Sequence, residues 1–142
     1  MIKLYVSILL LSSLMALPLK AVAKTKALLL FDGETGQEFV GCLNCVRSDS
    51  ASICNRYGDF GSRYSDTSIW SRYGKFGGRY EKNSPWARYG EGLRVVDRDG
   101  NYYGRFSRSS AGQSNLPIIK ALLEAWDVFD EDRMEIRDWF CD

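Results

Sequence analysis

The chain has 142 residues, a near balance of 19 basic against 18 acidic side chains, four cysteines and no histidine. The missing histidine excludes Ser-His-Asp and Cys-His nucleophilic schemes, histidine metal ligands and histidine proton shuttles. The length suits one domain with a modest core.

Residues 1–23 are expected to be a signal peptide. Lys3 gives a short positive start, residues 4–17 form an apolar core, and Ala21-Val22-Ala23 is an A-x-A cleavage site. The apolar run is short for a membrane span and is closed by Pro18 and Lys20. No cysteine sits at the cleavage site, so a lipid anchor is not indicated. The expected product is a single exported domain, 24–142, periplasmic or extracellular, with no transmembrane segment after cleavage. It carries 17 basic and 18 acidic residues, unevenly placed. Residues 47–108 hold 12 Lys or Arg and 7 Asp or Glu, whereas residues 109–142 hold 3 and 8. Either the acidic tail packs across the basic segment, or the basic segment presents a surface to an anionic partner. The first reading is favoured.

An apolar run at 27–31, turn residues Asp32-Gly33 to Gly36-Gln37, and a second apolar stretch at 38–43 predict a β-hairpin. A 16-residue repeat then occupies 52–92. Ser52-Ile53-Cys54, Ser68-Ile69-Trp70 and Ser84-Pro85-Trp86 fall in register, as do Arg56-Tyr57-Gly58, Arg72-Tyr73-Gly74 and Arg88-Tyr89-Gly90. Serine suits a helix N-cap, Pro85 suits a first helical position, and Gly58, Gly74 and Gly90 suit left-handed C-caps. The repeats therefore read as short helical turns, with Cys54, Trp70 and Trp86 as buried anchors that must pack on neighbouring copies or on a sheet. Residues 93–97 and 101–106 flank Arg98-Asp99-Gly100 and predict a second hairpin. After a polar loop, Ile118, Ile119, Leu122, Leu123 and Trp126 mark one face of an amphipathic helix, with Ser114 or Asn115 able to cap it. Residues 134–140 read equally as a last helix or an edge strand. The expected fold is α+β: a small antiparallel sheet from two hairpins, a repeat segment of short helical turns, and a C-terminal amphipathic helix.

Gly41-Cys42-Leu43-Asn44-Cys45, the repeats from Ser52 onward, Ser84-Pro85-Trp86, and Val95-Val96-Asp97-Arg98-Asp99-Gly100-Asn101-Tyr102-Tyr103-Gly104 together resemble a family of small exported bacterial proteins with a Gly-Cys-Leu-Asn-Cys motif and tyrosine–glycine repeats. The likeness covers roughly residues 39–106. It implies export and one compact module, and it implies no activity.

Cys42, Cys45, Cys54 and Cys141 are an even set, and an exported chain meets an oxidising compartment, so disulfides are expected. Of three possible pairings, Cys54–Cys141 is favoured. Cys54 stands where the other copies carry Trp70 and Trp86, and Cys141 is next to last. Cys42–Cys45 is then the short pair. The alternatives are a zinc site with four thiolates and a thiol-redox pair at the start of a helix; residues 46–50 after Cys45 read as a loop. Asp97-x-Asp99-x-Asn101 begins like a calcium loop, but Tyr102 and Arg108 stand at its sixth and twelfth positions, so a turn is expected. No catalytic constellation, resident metal or cofactor is called for.

Five Arg-Tyr pairs recur, at 56–57, 63–64, 72–73, 79–80 and 88–89. Interleaved arginine and tyrosine can stack on bases or line a groove for anionic chains. The competing expectation is that the arginines lie across tyrosine rings of neighbouring repeats and stabilise the stack. Arg72, Tyr73, Arg79, Tyr80, Arg88 and Tyr89 are the candidate contacts for an envelope, glycan or protein partner rather than nucleic acid. The functional expectation is an exported, non-catalytic binding module; the alternative is a cysteine-centred zinc or thiol-redox protein.

Overall fold

A computed structural model describes residues 25–142; the predicted signal peptide and its cleavage site lie outside the described residues. Four short strands, β1 (Leu29–Asp32), β2 (Phe39–Cys42), β3 (Leu93–Val96) and β4 (Tyr102–Phe106), form one antiparallel sheet in the order β2-β1-β3-β4. Both predicted hairpins are present, and β1 and β3 join them. Strand alternation separates the faces. Leu30, Val40, Leu93, Val95 and Phe106 are buried, whereas Leu29, Phe31, Arg94 and Val96 are half-buried on the other side.

Each hairpin loop is organised by one buried aspartate. Asp32 accepts the N–H groups of Thr35, Gln37 and Glu38 and the Thr35 hydroxyl. Asp97 accepts from the N–H groups of Asp99 and Asn101, the Asn101 amide and the Tyr103 hydroxyl. The carboxylate that resembled a calcium ligand is thus engaged in its own turn. Burial by itself would raise the Asp32 carboxyl, but the N–H groups of Thr35, Glu38 and Gln37 and the Thr35 hydroxyl outweigh it and hold it at about 2. The Asn101 amide, with Tyr103 and two backbone N–H groups, likewise holds Asp97 well below the usual carboxylate range, against burial.

The repeats are not helical turns. No helix lies within 52–92; the chain instead runs through successive turns in which a shared residue closes one and opens the next. Ser71 donates its N–H to Ser68 O, Gly74 to Ser71 O, Gly78 to Gly74 O, Glu81 to Gly78 O and Ser84 to Glu81 O, which completes one 16-residue coil. Each repeat serine caps its own turn, and a close crossing then diverts the backbone from a helical ladder. Each repeat serine takes the N–H two residues on, as in Cys54 to Ser52 Oγ, Trp70 to Ser68 Oγ and Trp86 to Ser84 Oγ. At Gly61 and Gly77 the chain crosses its own turn so closely that a Cβ would lie 2.0 Å from Asn55 O and 1.9 Å from Ser71 O. Of the three expected left-handed caps, only Gly90 has positive φ, at 145°; Gly58 and Gly74 are ordinary turn closers.

Cys54, Trp70 and Trp86 point inward, and the two indoles tie the coils together. Trp70 Nε1 donates to Ile53 O and Trp86 Nε1 to Ile69 O, both at 2.6 Å, each bond reaching one coil back. The Trp70 and Trp86 rings are 5.9 Å apart, and Trp86 stacks on Trp126 at 5.2 Å. Trp126 belongs to α1 (Pro117–Val128), which buries Ile119, Leu122 and Ala125 as well. Leu116 caps α1 without a side-chain bond; the Ser114 hydroxyl accepts the Leu116 N–H instead.

Residues 133–141 are helix rather than strand. This helix, α2 (Arg133–Cys141), starts at an Asp132 cap that accepts from the N–H groups of Met134 and Glu135. It lies along the coils in register. Arg133 Nε donates to Gly77 O at 2.7 Å and Arg137 Nη1 to Gly61 O at 3.2 Å, equivalent carbonyls one coil apart. The next step of four brings Cys141 to its disulfide with Cys54. Arg47–Asp142, Arg56–Asp138 and Arg79–Glu131 ion pairs complete the contact, so the acidic tail does pack across the basic repeats. These exposed pairs are worth only ~0–1 kcal/mol each.

Gly77→Ala should lower stability by more than ~3 kcal/mol in urea unfolding, because backbone must move. Gly100→Ala, in open space with φ +85°, should cost only ~1–2 kcal/mol. The low Asp32 carboxyl sets an acid limit. Its contribution is complete above the ordinary aspartate value of 3.8 and disappears as pH falls towards about 2, so thermal melts should be flat from neutrality to about pH 4 and decline steeply below.

Candidate functional site

Successive turns of a coil face different ways. Ile69 and Trp70 fill the centre of an inward turn, and Arg72 and Tyr73 fill the next, which faces out. Outward turns of this kind send all five repeat tyrosines into solvent. Tyr57 is fully exposed, and Tyr64, Tyr73, Tyr80 and Tyr89 are each at least 81% exposed. The arginines do not bridge to rings of neighbouring repeats, contrary to the packing expectation. Arg63, Arg72, Arg79 and Arg88 each lie over the ring of the very next residue, at 4.9–5.8 Å. Adjacent central positions of one turn leave each guanidinium no nearer aromatic face. The pairs are preassembled on the surface and contribute little to the core.

Between this surface and the α1–α2 turn runs a cleft of about 880 Å³. Of the predicted contacts, Arg72, Tyr73, Arg79 and Tyr80 line it; Arg88 and Tyr89 lie outside it, and Arg63 and Tyr64 belong to it. The 16-residue equivalence of Arg63-Tyr64 with Arg79-Tyr80 is the sequence signal for that addition. The opposite wall, Asp130, Glu131 and Arg133, has no such signal, because the α1–α2 turn reaches the cleft only through tertiary packing.

That wall is strained. Asp130 and Glu131 both have positive φ, 51° and 64°. The Glu131 N–H returns to Trp126 O and the Asp130 N–H to Asp127 O, the Schellman pattern that ends helices, usually with glycine at the first left-handed position. Here that position carries a carboxylate. Arg133 is buried beside the cleft, 4.9 Å from the Trp126 ring. Burial, then the like charges of Arg72 and Arg79, pull its guanidinium down to about 10. It remains cationic at neutral pH.

Cys42–Cys45 and Cys54–Cys141 are both disulfides. All four sulfurs are therefore engaged with each other, and the described residues contain no cluster of three or more metal-ligating side chains. Cys45 is followed by turns, so no helix N-terminus is available to activate it as a redox thiol. Among the described residues no helix is long and apolar enough to cross a membrane. The chain matches no protein-family model, no curated protein and no solved structure.

The two bridges close loops of very different size, 87 and 3 residues in separation. Replacing Cys54 and Cys141 with serine should cost ~4–5 kcal/mol, and replacing Cys42 and Cys45 ~2 kcal/mol, read from urea unfolding of the two double variants.

Proposed function

We propose that the protein is exported and acts as a non-catalytic module that binds an envelope or extracellular partner through its Arg-Tyr surface. The observation that carries this reading is the exposure of the five repeat tyrosines, each at least 81%, at positions where folding gives them nothing to pack against. A tyrosine ring offers a large, stiff contact area at low entropic cost, and an arginine beside it adds a planar fork of donors. The arginine already seated on the ring reduces the ordering cost of binding. Membership in the family of small exported proteins with tyrosine–glycine repeats belongs to this proposal, supported by the motifs at 41–45 and 52–104. Arg72, Tyr73, Arg79 and Tyr80 are the contacts the geometry favours, with Arg88 and Tyr89 extending them along the outer coil.

Alanine at Arg72, Arg79 and Arg88 together should reduce co-sedimentation with isolated cell envelopes of the producing organism at least about fivefold, with each exposed change shifting stability by no more than ~0.5 kcal/mol. Unfolding of this variant would make these arginines packing residues and remove the binding role.

A further inference from the structure

Resting on the binding-module reading, the chemistry of the cleft narrows the partner. The cleft is lined by Arg63, Arg72, Arg79 and Arg133 and also by Glu81, Asp130, Glu131 and Asp132, so its charges balance. Several are already committed. Arg79 pairs with Glu131 at 3.1 Å, Asp132 caps α2, and Arg133 holds Gly77 O. Among the described residues, Arg63, Arg72, Glu81 and Asp130 form no ion pair, which leaves two guanidiniums and two carboxylates open beside three exposed rings, Tyr64, Tyr73 and Tyr80.

We propose that this cleft binds a neutral glycan chain, with pyranose faces on the tyrosine rings and hydroxyls held by the open arginines and acids. A phosphodiester or polyuronate chain would meet carboxylates as often as guanidiniums and gain no net attraction. A polyhydroxyl chain needs both kinds of group, because each hydroxyl donates and accepts. Apolar rings with a few convergent polar groups are the usual make-up of such sites. The coil spacing supplies a repeat: tyrosines of one row recur once per coil, and the helix step that matches a coil, Arg133 to Arg137, rises about 6 Å.

Asp130 adds an independent observation. Glycine would relieve its left-handed backbone, yet the position holds a carboxylate that makes no hydrogen bond or ion pair among the described residues and lines the cleft. Strain kept at a cleft wall points to use of the side chain.

The test uses cellohexaose, chitohexaose and maltohexaose, with a mannuronate hexamer and a single-stranded oligothymidylate as charged comparators. Binding is followed by calorimetry and by fluorescence of Trp70 and Trp126, which line the cleft. At least one neutral hexasaccharide should bind, with affinity changing less than about twofold between low and high salt. Tyr64→Ala and Tyr80→Ala should each weaken it about tenfold at unchanged Tm. Asp130→Gly should raise Tm by about 2–5 °C and weaken binding about tenfold. Binding confined to the charged probes and falling steeply with salt would overturn the glycan assignment and leave the Arg-Tyr surface standing. If no probe binds while envelope co-sedimentation still requires the arginines, the glycan assignment also fails and the module reading survives. A more stable Asp130→Gly variant with undiminished binding would remove Asp130 from the site.

Discussion

The indole N–H that each repeat tryptophan gives to the carbonyl one coil back holds the fold in its geometry. A chain of isolated turns buries little and leaves many carbonyls facing the next coil. Trp70 and Trp86 satisfy one such carbonyl each while filling the space between coils, so a single side chain supplies both burial and polar satisfaction. The two ends of the stack show how strict this arrangement is. The first coil has no preceding repeat to receive an indole, and there the anchor is Cys54, bonded covalently to α2. Beyond the last coil no further tryptophan arrives from a repeat, and the Pro85 carbonyl takes the Arg108 N–H while Arg108 Nη1 covers Trp86 O. Trp126 stacks where the next indole would lie, with its own Nε1 buried and unbonded.

Inside and outside are thereby separated turn by turn. Ile or Pro with Cys or Trp fills inward turns, and every Arg-Tyr pair sits in an outward one. The anchors fill the interior, and the exterior pairs stay in solvent. The charge distribution follows the same division. Buried Arg133 and Arg137 hold backbone carbonyls of the coils, while exposed Arg63 and Arg72 lie on the neighbouring tyrosine rings and form no ion pair among the described residues. Arginine thus serves two purposes, buried on α2 against the coils and exposed in the outward turns of the coils.

Much of this was legible in the residues. Short apolar stretches and the turn residues between them, Asp-Gly among them, placed both hairpins, since those signals are local. The anomaly of Cys54 within the repeat pointed to its bridge with Cys141. The register of Trp70 and Trp86 identified buried anchors. The helical reading of the repeats failed because serine and glycine spacing is shared by helix caps and by consecutive turns. What decides between them is the close crossing at Gly61 and Gly77, where the chain passes back over the turn six residues earlier. The Arg-Tyr pairs were visible, but not that four of the five arginines would sit on their own neighbours. The acidic wall of the cleft was hidden for the same reason: Asp130 and Glu131 are distant in sequence from every repeat, and only the docking of α2 along the coils brings them near.

The match between α2 and the coils constrains how such a protein can change in size. Four residues of helix span one coil, so each added 16-residue coil would present one more bare glycine carbonyl beyond the helix end. Lengthening one partner alone would leave either an uncovered coil or an overhanging turn of helix carrying a buried-type arginine into water. The two segments, far apart in the chain, are therefore locked into a common unit of growth, and insertions tolerated by this scaffold come as paired events: sixteen residues in the repeats and about one turn in the terminal helix.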